Sequence, residues 1–311
     1  MSKEERIIIP GEVNLGATIA YKDKKEKKPL VLLIMGTGSL DRDGNSFALK
    51  TNLYKDLSDM FVELGYVCIR YDKRGTHESK SKNKNIGLSD LVNDAATIIH
   101  YAKKLDYVDS ENVVVCGHSE GAMIATLLTK QEQLHGIILL AGACMGLKDA
   151  SLYQNYLVLE QVADMKGVLG WYLRKVLKAE LIDKQVEDMF LKAEQSKKAT
   201  YFYRGAIIPT RYMKEHHAME AADYVSLLKS YEGKVLAITG KADVQADYRR
   251  LESIENMGNV TVCTPEKLNH MLRDIDGAIN IMNVNQEYKK CLKKEISSSI
   301  RDSIKSWSGE L

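Results

Sequence analysis

Apolar positions along the chain alternate between short continuous runs and stretches of helical spacing, the pattern of strands buried on both faces and the helices that cover them. Residues 30–35, Leu-Val-Leu-Leu-Ile-Met, form the first unbroken apolar run, ending at Gly36-Thr37-Gly38. Between Ser46 and Gly65 the positions Phe47, Leu53, Leu57, Met60, Phe61 and Leu64 recur at helical intervals, with Gly65 placed to end the helix. A strand over 66–71 follows, then a polar loop over 72–87, then a helix with Leu91, Ala95, Ile98 and Ala102 on one face. Three more strands are expected at 113–117, 136–141 and 234–239, and a last one at 260–263. This βα alternation predicts an α/β fold with a doubly wound, mostly parallel sheet.

Outside that alternation, residues 7–10 and 15–21 read as an N-terminal β-hairpin at the sheet edge, followed by a lysine-rich loop over 22–28. From about Met145 to Tyr224 the periodicity is helical, carried by residues such as Leu169, Leu173, Val176 and Leu177, and no strand is expected. One helix over about 286–307 closes the chain. The expected organisation is a core of residues 1–144 and 226–311 interrupted by an insertion at 145–225.

The strand at 113–117 runs into Gly117-His118-Ser119-Glu120-Gly121 and then into a helix of small and apolar residues. A GxSxG pentapeptide between strand and helix puts a serine on a sharp elbow with its hydroxyl exposed, so Ser119 is the candidate nucleophile. A serine hydroxyl needs a basic partner at neutral pH, and that base needs an acid to orient it. In the chain order serine, acid, histidine, the loop after strand 234–239 offers Asp243, with Asp247 as the fallback. The loop after the final strand offers His270 as the base. The backbone N–H groups of Thr37 and Glu120 are the expected oxyanion donors, with Gly36 and Gly38 allowing a tight turn.

Composition narrows the partner. The formal charge of +2 over 311 residues is too small for a nucleic-acid surface. No apolar run reaches the roughly 18 residues of a membrane span, and the N-terminus lacks the hydrophobic core of a signal peptide. A cytoplasmic protein acting on a small molecule is expected. Five scattered cysteines without a CxxC pair suggest free thiols, with neither disulfides nor zinc, and no metal or organic cofactor is called for.

Several other groupings read as structural. Asp41, Asp43 and Asn45 lack the later positions of a calcium loop and suit a hydrogen-bonded turn. Glu215, His216 and His217 do not make the HExxH zinc pattern, and His77, His100 and His135 have no matching partner. Tyr153, Tyr156, Tyr172, Tyr201 and Tyr203 in the insertion are read as packing residues, with an aromatic pocket as the rival.

The elbow, the glycine turn, Asp243 and His270 together resemble the α/β-hydrolase superfamily. More closely, residues 35–44 (MGTGSLDRDG), 70–75 (RYDKRG), 117–121 (GHSEG) and 268–270 (LNH) resemble bacterial esterases of the dienelactone-hydrolase-like and serine-aminopeptidase-like branch. Met35 stands where that branch commonly has histidine, but a backbone N–H can serve whatever side chain precedes it. The resemblance implies that residues 145–225 form a helical cap over the site, and that the chain cleaves a carboxylic ester through an acyl-enzyme. The same triad would also serve a thioesterase, peptidase or acyltransferase. The rival from outside enzymology is a binding protein that keeps the pocket without the chemistry.

Overall fold

The computed structural model describes residues 2–47 and 49–309. Eight strands form one sheet in the order β1-β2-β4-β3-β5-β6-β9-β10. They are β1 (Lys3–Ile9), β2 (Leu15–Tyr21), β3 (Lys28–Ile34), β4 (Val67–Tyr71), β5 (Val108–His118), β6 (Gly136–Leu140), β9 (Lys234–Ile238) and β10 (Val260–Cys263). β1 and β2 pair antiparallel, β2 joins β4 antiparallel, and every pairing from β4 through to β10 is parallel.

The continuous apolar runs have a direct explanation in this sheet. Side chains alternate across a strand, so Leu30, Leu32 and Ile34 of β3 enter one core while Val31 and Leu33 enter the other. Val113 and Val115 of β5 face the first core, and Val114 and Cys116 the second. Helices α2 (Leu88–Ala102), α3 (Glu120–Leu128) and α8 (Ala221–Ser230) cover the first face. Helices α1 (Leu53–Glu63) and α10 (Ser298–Ser308) cover the second, where Trp307 is fully buried. A sheet buried on both sides places its chemistry at the C-terminal ends of its strands.

Three expectations require correction. The helix expected from Ser46 begins at Leu53, and Phe47 is fully exposed; Ala48, inside the expected span, lies outside the described residues. The Thr51 hydroxyl donates to the Gly44 carbonyl, the Asn52 N–H donates to the Asn45 side chain, and Asn52 is left-handed at φ 48°. These local bonds compete with helix over 45–52. Gly65 does end the helix region, at φ 97°.

Residues 145–225 are not strandless. Between α4 (Leu147–Ala163), α5 (Gly167–Val176), α6 (Ala179–Gln195) and α7 (Thr210–His217) lies a hairpin, β7 (Thr200–Tyr203) paired with β8 (Ala206–Pro209). Its turn is Arg204-Gly205, both at positive φ, the two-residue connection that matches strand twist. Tyr201 and Tyr203 donate to the Met189 and Gln185 carbonyls and so fasten the hairpin to α6.

The single C-terminal helix is two, α9 (Val284–Cys291) and α10. The break falls where the Ser297 hydroxyl accepts from the Ser299 N–H and caps α10.

Within residues 145–225, Ile182, Val186, Phe190, Ala193 and Met213 form a hydrophobic cluster of their own. Leu228 of α8 belongs instead to the main core. No helix among the described residues is long and apolar enough to cross a membrane.

Candidate active site

Ser119 sits between β5 and α3 at φ 56°, ψ −121°, a conformation that side-chain-bearing residues rarely hold. The surrounding bonds impose it. The Ser119 N–H donates to the Leu140 carbonyl at 2.8 Å, and the Ala122 N–H donates to the Ser119 carbonyl at 2.9 Å.

The flanking glycines are steric requirements. A Cβ on Gly117 would stand 2.0 Å from the Gly121 carbonyl oxygen, and one on Gly121 would stand 2.1 Å from that of Ile34. Gly142, which sequence reading passed over, approaches equally closely: a Cβ there would lie 2.3 Å from the Ser119 carbonyl oxygen.

His270, in the loop after β10, is buried with Asp243, from the loop after β9. Its Nδ1 lies 2.9 Å from Asp243 Oδ2 and 3.1 Å from Oδ1. A carboxylate only accepts, so Nδ1 donates to it, and in the neutral imidazole Nε2 is the basic atom. Asp243 Oδ1 also accepts the backbone N–H groups of Gln245 at 2.7 Å and Ala246 at 3.0 Å, which fix the carboxylate before it meets the histidine. Asp247 is engaged elsewhere: it caps the 3₁₀ turn 248–253, accepting the Arg249 N–H, and pairs with the Arg249 guanidinium.

Ser119, His270, Thr37 and Glu120 line one cavity of about 370 Å³. The loop after β3 passes directly against the serine, since a Cβ on Gly36 would fall 2.9 Å from Ser119 Cβ. Glu120 is the first residue of α3, where helix geometry leaves the backbone N–H without an intrahelical acceptor. The aromatic lining comes from Tyr54 and Tyr288. The five tyrosines weighed from sequence do not line this cavity, although Tyr153 donates to the Asp243 carbonyl at 3.0 Å.

A directional hydrogen-bond chain runs behind the cavity. The Gly36 N–H donates to the Tyr54 hydroxyl at 2.8 Å, so that hydroxyl donates onward to His118 Nδ1 at 3.0 Å. His118 Nε2 then carries its proton to the His270 carbonyl at 2.9 Å. Burial, reinforced by the neighbouring His270, pushes the His118 pKa down to about 3.

The unfolded chain would take up this proton near pH 6.5 and the native chain only near 3, so native stability falls as pH drops through that interval. Relative to a His118→Gln variant, the wild type is expected to lose about 1.4 kcal/mol more per pH unit there. Urea unfolding at several pH values between 4 and 7 checks this; equal slopes for the two proteins would refute it.

A second buried cluster surrounds the Glu120 carboxylate. Lys73 Nζ, from the turn after β4, lies 2.5 Å from Oε2 and 2.6 Å from the Gly36 carbonyl. From α7, the Tyr212 hydroxyl donates to Oε1, and His216 Nε2 reaches the same oxygen at 3.1 Å. Burial opposes the charge on Glu120, but the Lys73 ammonium and the donated hydrogen bonds outweigh it and hold the carboxyl well below its usual range. Burial, together with the Glu120 charge, pushes the Tyr212 hydroxyl far up.

Sequence reading missed these roles. Lys73 sat within a family signature, and His216 was weighed only as a metal ligand. Asp41 does form the expected turn, its Oδ1 accepting the N–H groups of Asp43 at 3.0 Å and Asn45 at 2.8 Å. Among the described residues, no group of three His, Cys, Asp or Glu side chains is disposed to hold a metal ion.

Residues 47–272, more than half of the chain, match the family model described as serine aminopeptidase, S33. The chain belongs to this family of α/β-hydrolases. Esterase EstD of Thermotoga maritima is 23% identical over 287 residues, which is 90% of this chain. The chain spans only 61% of the length of that curated relative.

Among solved structures, Est1E from Butyrivibrio proteoclasticus with ferulic acid bound has a TM-score of 0.57 at 17% identity, covering 93% of this chain and 99% of that one. The α/β-hydrolase GrgF from Penicillium has a TM-score of 0.56 at 13% identity, covering 95% and 99%. An esterase of Pyrococcus furiosus gives 0.54 at 13%, covering 99% and 91%. At these identities the likeness is one of fold. It makes this family member's architecture that of the α/β-hydrolases.

Proposed function

We propose that this α/β-hydrolase is a serine carboxylesterase acting through an acyl-enzyme. The observation that carries the reading is the His270–Asp243 pair, with His270 lining the same cavity as a serine held on a strained elbow. The Ser119 hydroxyl would pass its proton to His270 Nε2 as Oγ bonds the ester carbon. The carbonyl oxygen, now negative, would be received by the Thr37 and Glu120 N–H groups. Collapse of the tetrahedral species breaks the bond to the alcohol, which leaves with the proton from His270. Water, activated by the same histidine, then releases the acid and restores Ser119.

The cavity supports an uncharged acyl group of small or medium size. Leu40, Leu49, Leu53, Met123, Met145 and Met271 supply an apolar lining, and among the described residues no lysine or arginine contributes to it. The charged lining residue is Glu120, whose carboxylate is occupied by Lys73, Tyr212 and His216. An aminopeptidase would need a free acid to hold the substrate's α-ammonium, and a phosphate-bearing thioester would need a cation. Neither lines this cavity among the described residues. The esterase relatives fit the same reading, in which residues 145–225 act as the cap. α4 supports that role because Leu147, Ala150, Ser151 and Gln154 form part of the cavity wall.

Intact-mass analysis after treatment with a fluorophosphonate is expected to show one adduct on the wild type and none on Ser119→Ala. Across p-nitrophenyl acetate to octanoate and the aminoacyl p-nitroanilides, kcat/KM is expected to favour esters by at least about 10²-fold, equivalent to roughly 3 kcal/mol. Absence of an adduct on the folded wild type would support the binding-protein reading, and preference for the anilides would support peptidase action.

A further inference from the structure

The ionic cluster behind the elbow takes no part in the proton path from Ser119 to His270, yet it touches both sides of the expected oxyanion hole. Lys73 is buried, and its one ammonium donates to the Gly36 carbonyl and to the Glu120 carboxylate. The Gly36 carbonyl and the Thr37 N–H belong to the same peptide unit. In a planar trans peptide those two groups point in opposite directions, so an ammonium that fixes the carbonyl also fixes the direction of the N–H. The Glu120 side chain is held by the same ammonium, and the Glu120 main chain carries the other donor.

Tyr212 closes the arrangement from the insertion. Its hydroxyl hydrogen goes to Glu120 Oε1, because a carboxylate only accepts. Lys73 thus bridges the Gly36-Thr37 turn to Glu120, and Tyr212 holds the other oxygen of the same carboxylate from α7. His216 donates to Glu120 through Nε2 and packs its ring edge-on against Tyr212, while its buried Nδ1 has no partner among the described residues.

We propose that Lys73 and Tyr212 are positioning residues that set the Thr37 and Glu120 N–H groups to the spacing of an oxyanion, and that Tyr212 makes this spacing depend on the seating of α7. This rests on the serine-hydrolase reading above. A cluster kept for folding alone would not need the ion pair, since well-packed neutral replacements of buried pairs are often neutral or stabilising. An ammonium holding a backbone carbonyl beside the nucleophile gives the pair a geometric task instead.

The test uses Tyr212→Phe and the double variant Lys73→Met/Glu120→Gln, which removes both buried charges together. For each, kcat per titrated active site and KM are measured on a p-nitrophenyl ester, along with inhibition by a trifluoromethyl ketone. Ser119 would add to that ketone to leave an oxyanion. The double variant is expected to lose about 10²-fold in kcat, with KM changed less than about threefold. Tyr212→Phe is expected to lose about tenfold. Ketone affinity should fall in parallel with kcat in both.

A purely structural role would instead reduce the fraction of titratable sites while leaving kcat per site and ketone affinity unchanged, and that result overturns the proposal. Should the double variant not fold, Tyr212→Phe decides the matter alone, because it removes a single oxygen. A wild type that neither reacts with a fluorophosphonate nor turns over esters would remove the serine-hydrolase reading itself, a separate outcome from unchanged variants of an active enzyme.

Discussion

Ser119→Ala is expected to lower kcat on a p-nitrophenyl ester by about 10⁶-fold, to the level left by the binding site and oxyanion donors alone. The loss should be this large because His270 can only raise the reactivity of a nucleophile that is present. Water in the cavity would lack the fixed approach that the elbow gives Oγ. The fold should be unaffected, since alanine takes the same backbone conformation with one atom fewer.

Ser119→Gly separates strain from chemistry. Glycine relaxes the cost of φ 56°, so this variant is expected to be equally inactive but to melt higher than Ser119→Ala. Initial rates and thermal melts on the three proteins check both halves. Residual turnover above about 10⁻³ of wild type in the folded alanine variant would mean another nucleophile.

Asp243→Asn is expected to cost about 10⁴-fold in kcat, whereas Asp247→Asn should change it less than about twofold. The reason lies in how the Asp243 carboxylate is held. Its Oδ1 accepts two backbone N–H groups, from Gln245 and Ala246, so an asparagine would leave its oxygen there and turn its amide nitrogen toward His270. That nitrogen donates, which forces His270 Nδ1 to accept and moves the imidazole proton to Nε2, the atom that must be free to act as base. Asp247 has no such link. It accepts the Arg249 N–H as a cap, a role that asparagine fills as well. Steady-state rates at several pH values check the pair, and equal losses in both variants would place the orienting acid wrongly.

Most of the sheet was legible because its strands are buried on both faces, which leaves continuous apolar runs that little else explains. The glycines of the elbow were legible because their need is local: a Cβ at Gly117 or Gly121 meets backbone within a few residues or on the adjacent strand. The start of α1, the β7–β8 hairpin and the split between α9 and α10 were misread for a shared reason. In each, side-chain caps or a two-residue turn overrode an apolar spacing that also fits a helix.

The candidate acid and base could be placed by chain order alone, because the strands that carry them end at the same edge of the sheet. Tyr54, Lys73, Tyr212 and His216 could not. Their meaning lies in contacts such as the 47-residue separation between Lys73 and Glu120 and the 96 residues between His216 and Glu120. No local periodicity records those distances. The sequence by itself determined the alternating core, the strained serine and the order of the groups that would act with it, since each depends on neighbours along the chain. Only the tertiary structure decided which cavity they share, which carboxylate faces His270, and how α7 reaches Glu120 beside Ser119, because those depend on packing between segments far apart in the chain.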